Sequence, residues 1–278
     1  MTRRARARRP WVILGAACMA AVAEPAAGQA ASASAPAAGR ESDVELAKKL
    51  ANPVADLISL PFQFNYDCCY GPEDAGRTTL NIQPVVPVHL TDNLNLIIRT
   101  IVPVISQQET VAGTRDQLGL GDILQTWFIS PKTEGVTLAA GPAILYPSGT
   151  DGFSQHKWSA GPAALVLKQH GHMTYGLLAT QVWSFAGSER AGDVNTTMLQ
   201  PFFNYTFPNT TGILANLESS YDWERKDWTV PMNVGVTHIY KVGEQRIQGG
   251  IMGRYYLDKP GGGPDWGVRL VVTFLIPS

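Results

Sequence analysis

Few residues of this 278-residue chain have the type and spacing for bond-making chemistry. The five histidines are His89, His156, His170, His172 and His238. His170 and His172 fall in one short turn, His156 in a loop, and His238 near the end of an alternating stretch. An acyl hydrolase needs a nucleophile, a base and an orienting group held together. No GxSxG segment is present, and PSGTDG reads as a loop. A lipid-hydrolysing site therefore has little support, and no catalytic residue is assigned. Cys68 and Cys69 are adjacent, and no histidine stands at a metal-ligand spacing from them. No metal site and no cofactor is expected. Whether the two cysteines form a disulfide stays open, because the bond demands a specific geometry that neighbours meet poorly. GLGD and GGGP are glycine-rich, but neither opens a helix after a strand, as a phosphate loop must.

What remains is a polar set that recurs with a period of two. Asp67, Asn81, Gln83, Asn95, Arg99, Gln200, Asn204, Glu218, Asp222, Asn233, Gln248, Arg254 and Arg269 each sit opposite an apolar parity in an alternating segment. Residues of one parity share one face of a strand. These side chains then either line a polar path or fill a satisfied polar core. Arg254, Arg269 and Asp67 lie on first and last segments that become neighbours if the sheet closes. Arg99 and Glu218 lie far apart in order and would face each other across the enclosed space.

The elements that carry them are long. In WTVPMNVGVTHIY, Trp228, Val230, Met232, Val234, Val236 and Tyr240 share one parity with His238, opposite Thr229, Asn233 and Thr237. About twelve such segments begin near residues 60, 78, 93, 118, 136, 158, 173, 195, 212, 228, 245 and 266. Most run about ten to thirteen residues. Strands of soluble proteins usually have about 5–6, while a tilted strand crossing a bilayer needs about 9–11. The connections alternate as well. TDN, QHGH and KVGE are short, whereas SQQETVAGTRDQ, PSGTDGFSQHK and AGSERAGDVN are longer, as in outer-membrane barrels with even strand number. Aromatic residues gather toward segment ends. The fold expected is all-β: a transmembrane antiparallel up-and-down β-barrel of about twelve strands over residues 59–278. Two segments break the pattern. LGLGDILQTWFI needs a bulge near Gly119–Gly121 to keep Asp122 off the apolar face. AGPAALVLKQ is nearly all small or apolar, so its inward face must be packed or very narrow.

The N-terminus reads MTRRARARRPWVILGAACMAAVAEPAAG. Five arginines precede a short apolar run followed by small residues. That order marks a secretory signal peptide over residues 1–30. Residues 31–58 hold an Ala/Ser/Pro/Gly-rich linker and a short helix, in which Val44, Leu46, Ala47 and Leu50 keep a helical period between Asp43 and Pro53. The helix would stay on the periplasmic side. A formal net charge of −1 gives no support for nucleic-acid binding. The partners expected are outer-membrane lipid, the barrel assembly machinery and a small-molecule solute. The lipid-facing stripe does not fix an oligomeric state.

The segments LAKKLANPVADLISLPFQFNYD, LNIQPVVPVHL, NLNLIIRTIVPVI, LGLGDILQTWFISP, KWSAGPAALVLKQ, TYGLLATQVWSFAG, QPFFNYTF and ESSYDWERKDWTVPMNVGV resemble bacterial outer-membrane proteins of the "MetA-pathway of phenol degradation" family, also labelled transporters or neuromedin U-like. The resemblance runs from Leu46 to the C-terminus and lies in the series rather than in any one motif. It implies a bacterial outer-membrane barrel that moves small, aromatic or hydrophobic compounds. It brings no binding residues with it, and the Cys68–Cys69 pair departs from the family pattern. A barrel with a structural or adhesive role and no open pore is the alternative.

Overall fold

A computed structural model describes residues 43–109, 115–133, 135–243 and 245–276. The expected signal peptide and the linker before Asp43 lie outside these residues.

Sixteen strand segments make twelve barrel strands, because four strands are each interrupted once. These are β1 (Ile58–Tyr70), β2 (Ala75–Ile82 and Val85–Thr91), β3 (Leu94–Gln107), β4 (Gln117–Leu120 and Ile123–Pro131), β5 (Val136–Tyr146) and β6 (Lys157–His170). They continue with β7 (Met173–Gly187), β8 (Asn195–Thr206), β9 (Thr211–Leu217 and Ser219–Asp222), β10 (Asp227–Thr229 and Pro231–Val242), β11 (Gln245–Tyr256) and β12 (Trp266–Ile276). One helix, α1 (Asp43–Leu50), precedes them. Each strand pairs antiparallel with its sequence neighbour. β12 closes on β1, with Ile58 opposite Ile276 and Cys68 opposite Trp266. Closure removes the free edges that an open sheet would present.

The interruptions have chemical causes. In β2 the break falls at Gln83–Pro84, where proline cannot donate to a ladder. In β4 it falls at Gly121–Asp122, close to the expected bulge. There the Asp122 carboxylate accepts hydrogen bonds from Gly149 N at 3.0 Å, Ser154 Oγ at 2.7 Å and Gln155 N at 2.7 Å. Asp122 thus pins the loop after β5 instead of facing outward. In β9 the break falls at Glu218, whose own N–H turns to Pro231 O at 3.0 Å.

The outer wall is apolar. Along β12, Trp266, Val268, Leu270, Phe274 and Ile276 are exposed, while Gly267, Arg269, Val271, Thr273 and Leu275 are buried. β10 repeats this, with Met232, Val234, Val236 and Tyr240 outside and Asn233, Thr237 and Ile239 inside. A hydrocarbon-facing exterior around a closed ladder is what a bilayer requires, since closure lets neighbouring strands satisfy each other's backbone N–H and C=O groups. Aromatic residues form two belts. Tyr66 meets Trp266, Tyr146 meets Trp158, and Tyr221 meets Trp223 at the end away from the helix. Phe62 meets Phe274, Tyr205 meets Phe207, and His238 meets Tyr240 at the helix end.

The wall pinches at β5 and β6. Pro142 lies opposite Pro162, two residues with no N–H to give. The ladders on both outer sides of this pair lapse there. β4 and β5 pair at Thr126–Ala143 and resume at Ile129–Ala140, and β6 and β7 pair at Ala160–Trp183 and resume at Ala163–Thr180. Gly141 and Gly161 precede the prolines. A Cβ on Gly141 would collide with the Trp127 carbonyl, and one on Gly161 with the Gln181 carbonyl. The backbones approach this closely only because both residues lack a side chain.

Candidate functional site

The interior has two unlike walls. From β3 to β8, inward positions carry Ile97, Phe128, Ala143, Ala163, Leu165, Leu178 and Val182, which pack into one buried apolar cluster with Leu124 and Met198 against it. This accounts for the unbroken apolar run of β6: its inward face is packed, as its sequence requires. The opposite wall, from β8 round through β12 to β2, carries the charged and amide side chains, with apolar Ile239, Met252, Val271 and Leu275 among them.

On the polar wall the charges are assembled. Glu218 accepts from Arg269 Nη1 at 2.6 Å and Nη2 at 2.7 Å, and from Arg254 Nη1 at 3.3 Å. Arg254 Nε donates to Asp67 Oδ1 at 2.9 Å. Asn65 Oδ1 accepts from Arg269 Nε at 2.6 Å and Arg254 Nη1 at 3.2 Å, and Tyr256 Oη accepts from Arg254 Nη2 at 3.1 Å. Two arginines and two carboxylates are thus mutually satisfied, which is the condition for keeping charge inside a barrel. The closing of β12 on β1 brings this about, since Asn65 and Arg269 are register partners.

Beside this cluster runs a chain of amides. Arg99 Nη2 donates to Gln83 Oε1 at 3.0 Å, and Gln83 Nε2 donates to Gln63 Oε1 at 3.0 Å. Two cavities of about 230 and 280 Å³ share Gln63, Gln83, Arg99, Gln200, Glu218 and Arg269 in their linings. Arg99 and Glu218 therefore border the same spaces. The first cavity reaches the helix end, with Gln248 and Asn204 in its wall. The second takes in Asn81 and the apolar wall at Phe128, Leu178, Leu124 and Met198.

The helix floors the first cavity. Leu46 and Ala47 pack on inward Ile239 and Leu275, with Leu50 and Leu57 alongside. Asp43 pairs with Arg246 of β11, and the Lys48 carbonyl accepts from Gln169 Nε2 of β6 at 2.9 Å. Acidic Asp43 and Glu45 stand at its start and Lys48 and Lys49 at its end, the arrangement a helix dipole favours.

Five of the expected lining residues border neither cavity: Asp67 and Arg254, which lie within the charge cluster, and Asn95, Asn233 and Asp222. Asn95 is buried near the helix-side rim. Asn233 is buried, its Nδ2 donating to Asn216 Oδ1 at 2.7 Å. Asp222 sits at the far rim and takes the backbone N–H groups of Glu224 and Arg225 at 2.9 and 3.1 Å, so it shapes a turn and borders neither cavity. Cys68 and Cys69 are joined to each other, with Cys69 at a φ of 76°. Sequence parity did not point to Phe128, Leu178 and Met198 as cavity residues. The signal for the apolar wall was the failure of alternation in β6. Among the described residues no histidine ring bonds a serine. His89 takes Asp56, and His238 takes Thr211 Oγ1.

A closed twelve-stranded antiparallel barrel with an apolar, aromatic-belted exterior is a membrane-spanning β-barrel. Its fold is similar to that of an outer membrane channel from Pseudomonas putida F1, at a TM-score of 0.62 and 14% identity over 79% of this chain and 96% of that one. It also matches the KdgM porin at a TM-score of 0.48 and 11% identity over 79% of this chain and 99% of that one. The NanC porin follows at 0.47 and 10% over 80% and 100%. No family model and no curated protein matches the sequence.

Proposed function

We propose that the chain is a bacterial outer-membrane channel with a narrow, solute-selective path, exported by its N-terminal signal and inserted with α1 on the periplasmic side. The observation that carries this reading is the pair of cavities that share a polar and charged lining inside a lipid-facing barrel. A barrel serving only as a scaffold has no need for charged groups around an internal space, where selectivity is set by inward side chains. The likeness to an outer membrane channel of Pseudomonas putida F1 supports it. So does the arginine-led, apolar N-terminus. Membership of the MetA-pathway family, inferred from the quoted segments, belongs to the same proposal. The half-apolar interior fits solutes with an aromatic or hydrophobic part.

The second reading is a barrel without an open pore. The helix floor and the apolar packing between β3 and β8 favour it. Liposome swelling decides between the two. Purified protein in vesicles should admit small phenolic acids faster than sugars of equal size. Swelling no faster than in protein-free vesicles, for sugars, amino acids and phenolic acids alike, overturns the channel.

A further inference from the structure

Arg99 differs from the other arginines of the cluster. Arg254 and Arg269 are saturated by Asp67 and Glu218. Arg99 gives one hydrogen bond to the neutral amide of Gln83, and among the described residues no carboxylate lies within ion-pair distance of it. A guanidinium has five N–H donors in a fixed fork that matches a carboxylate two-for-two. Glu218, the anion that shares its cavities, is held by both terminal nitrogens of Arg269.

The position of Arg99 on β3 is equally specific. It lies between inward Ile97 and Ile101, at the seam where the polar wall meets the apolar one. The larger cavity has Arg99 on one side and Phe128, Leu178, Leu124 and Met198 on the other. Its volume of about 280 Å³ is at the small end of ligand sites, which run from about 300 Å³ upward. One unpaired cation, an adjoining apolar wall and a small space define the complement: a compact organic anion with one charged end and one apolar body.

We propose that this cavity is a binding site for small aromatic monocarboxylates, with the carboxylate on the Arg99 fork and the ring against Phe128 and Leu178. The proposal rests on the channel reading for its physiological meaning but not for its test. The cluster of Arg254, Arg269, Asp67 and Glu218 is charge-balanced, so Arg99 sets the sign. Neutral analogues lack its partner, and anions without an apolar body lack the wall.

The test uses benzoate, with benzyl alcohol as the neutral isostere and acetate as the anion without a ring. Binding to the detergent-solubilised full-length protein is followed by calorimetry, and block of potassium chloride conductance in planar bilayers is followed in parallel. Benzoate should bind and block, at concentrations about tenfold or more below those for benzyl alcohol and acetate. Arg99→Gln should remove that advantage, with Arg99→Lys intermediate because an ammonium cannot fork. Equal binding of all three compounds to the unaltered protein overturns the proposal, whatever the variants do. So does benzoate binding unchanged in a folded Arg99→Gln barrel. Benzoate binding by calorimetry with no measurable conductance overturns the channel reading and upholds the site.

Discussion

Glu218 and Arg269 meet two-for-two, with both terminal nitrogens of the arginine on the carboxylate at 2.6 and 2.7 Å. The contact spans the interior between β9 and β12 and also holds Arg254. Glu218 stands at the break in β9, where its own N–H turns to Pro231 O at 3.0 Å. Removing one member of a buried ion pair leaves the other charge uncompensated, at a cost of about 3–5 kcal/mol. Glu218 borders the cavities, so Glu218→Gln should fall near the low end of that range. The urea midpoint of the vesicle-folded protein measures it, and an unchanged midpoint contradicts the structural role. The same variant leaves Arg269 without its carboxylate while Arg254 keeps Asp67, so the cluster carries one excess positive charge and the reversal potential in a salt gradient should shift toward anion preference.

An ion pair, a backbone contact and a small apolar patch hold the helix against the barrel. Asp43 meets Arg246, Lys48 O meets Gln169, and Leu46 and Ala47 cover Ile239 and Leu275. None of these contacts belongs to the barrel ladder, so the barrel should close without them. A variant that keeps the export leader but lacks Asp43–Leu50 should insert normally and show a larger single-channel conductance. Unchanged conductance would mean that the helix does not obstruct the path.

Much of this architecture is written in parity. Period two gave the twelve strands, the outward stripes of β10 and β12, and the meeting of Arg254, Arg269 and Asp67, because closing a sheet makes its first and last strands neighbours. Parity says which side a residue faces, not how far it reaches. It put Asp222 on the inward face, and a turn at the rim claimed that carboxylate instead. It also carries no information about an element outside the sheet. The helix was legible from its period and its stop at Pro53, but its docking on Ile239 and Leu275 depends on the curvature of the closed wall. The apolar half of the interior was visible only as a defect, the run AGPAALVLKQ, since packing partners on β4, β7 and β8 come from other segments.

The pinch at β5 and β6 is the point most sensitive to a single methyl group. Gly161 faces the Gln181 carbonyl across the lapsed ladder, and a Cβ there has nowhere to go but into backbone. Gly161→Ala should cost at least about 1–3 kcal/mol, the range for overpacking a filled site. Gly253→Ala is the control, since a Cβ there meets nothing within 4 Å. Heat-modifiable migration on gels compares the two. Equal stability would show that the strands can part at the pinch.

At the start of β6, Lys157 Nζ lies 3.2 Å from Oδ1 of Asp193 in the loop between β7 and β8. The lysine's hydrogen bond and charge hold the Asp193 carboxyl below the ordinary aspartate range. A carboxyl whose pKa is depressed on folding favours the folded loop above its unfolded pKa. That contribution is lost as pH falls through the folded value. The bond is solvent-exposed, so the effect is local to the loop and screened by salt. In Lys157→Met, the Asp193 carboxyl resonance should titrate at a higher pH than in the parent chain. Coincident titration curves would rule out the pairing.

The last strand makes the sharpest demand. Val272–Ile276 pairs with Ile58–Phe62 on one side, and Val272–Phe274 with Ile247–Gly249 on the other. A chain ending at Val271 would leave β1 with open N–H and C=O groups over its helix-side half. In lipid each unpaired group costs several kcal/mol, and no neighbouring strand is free to supply the bonds. It would also remove Leu275, one of the two inward side chains under the helix, and Phe274, which meets Phe62 in the aromatic belt. Export should continue, because it depends on the other end of the chain. The truncated protein should accumulate in the periplasm without the heat-modifiable form of a folded barrel. Recovery of that form in the membrane fraction would show that β11 and β1 can close without this half of β12.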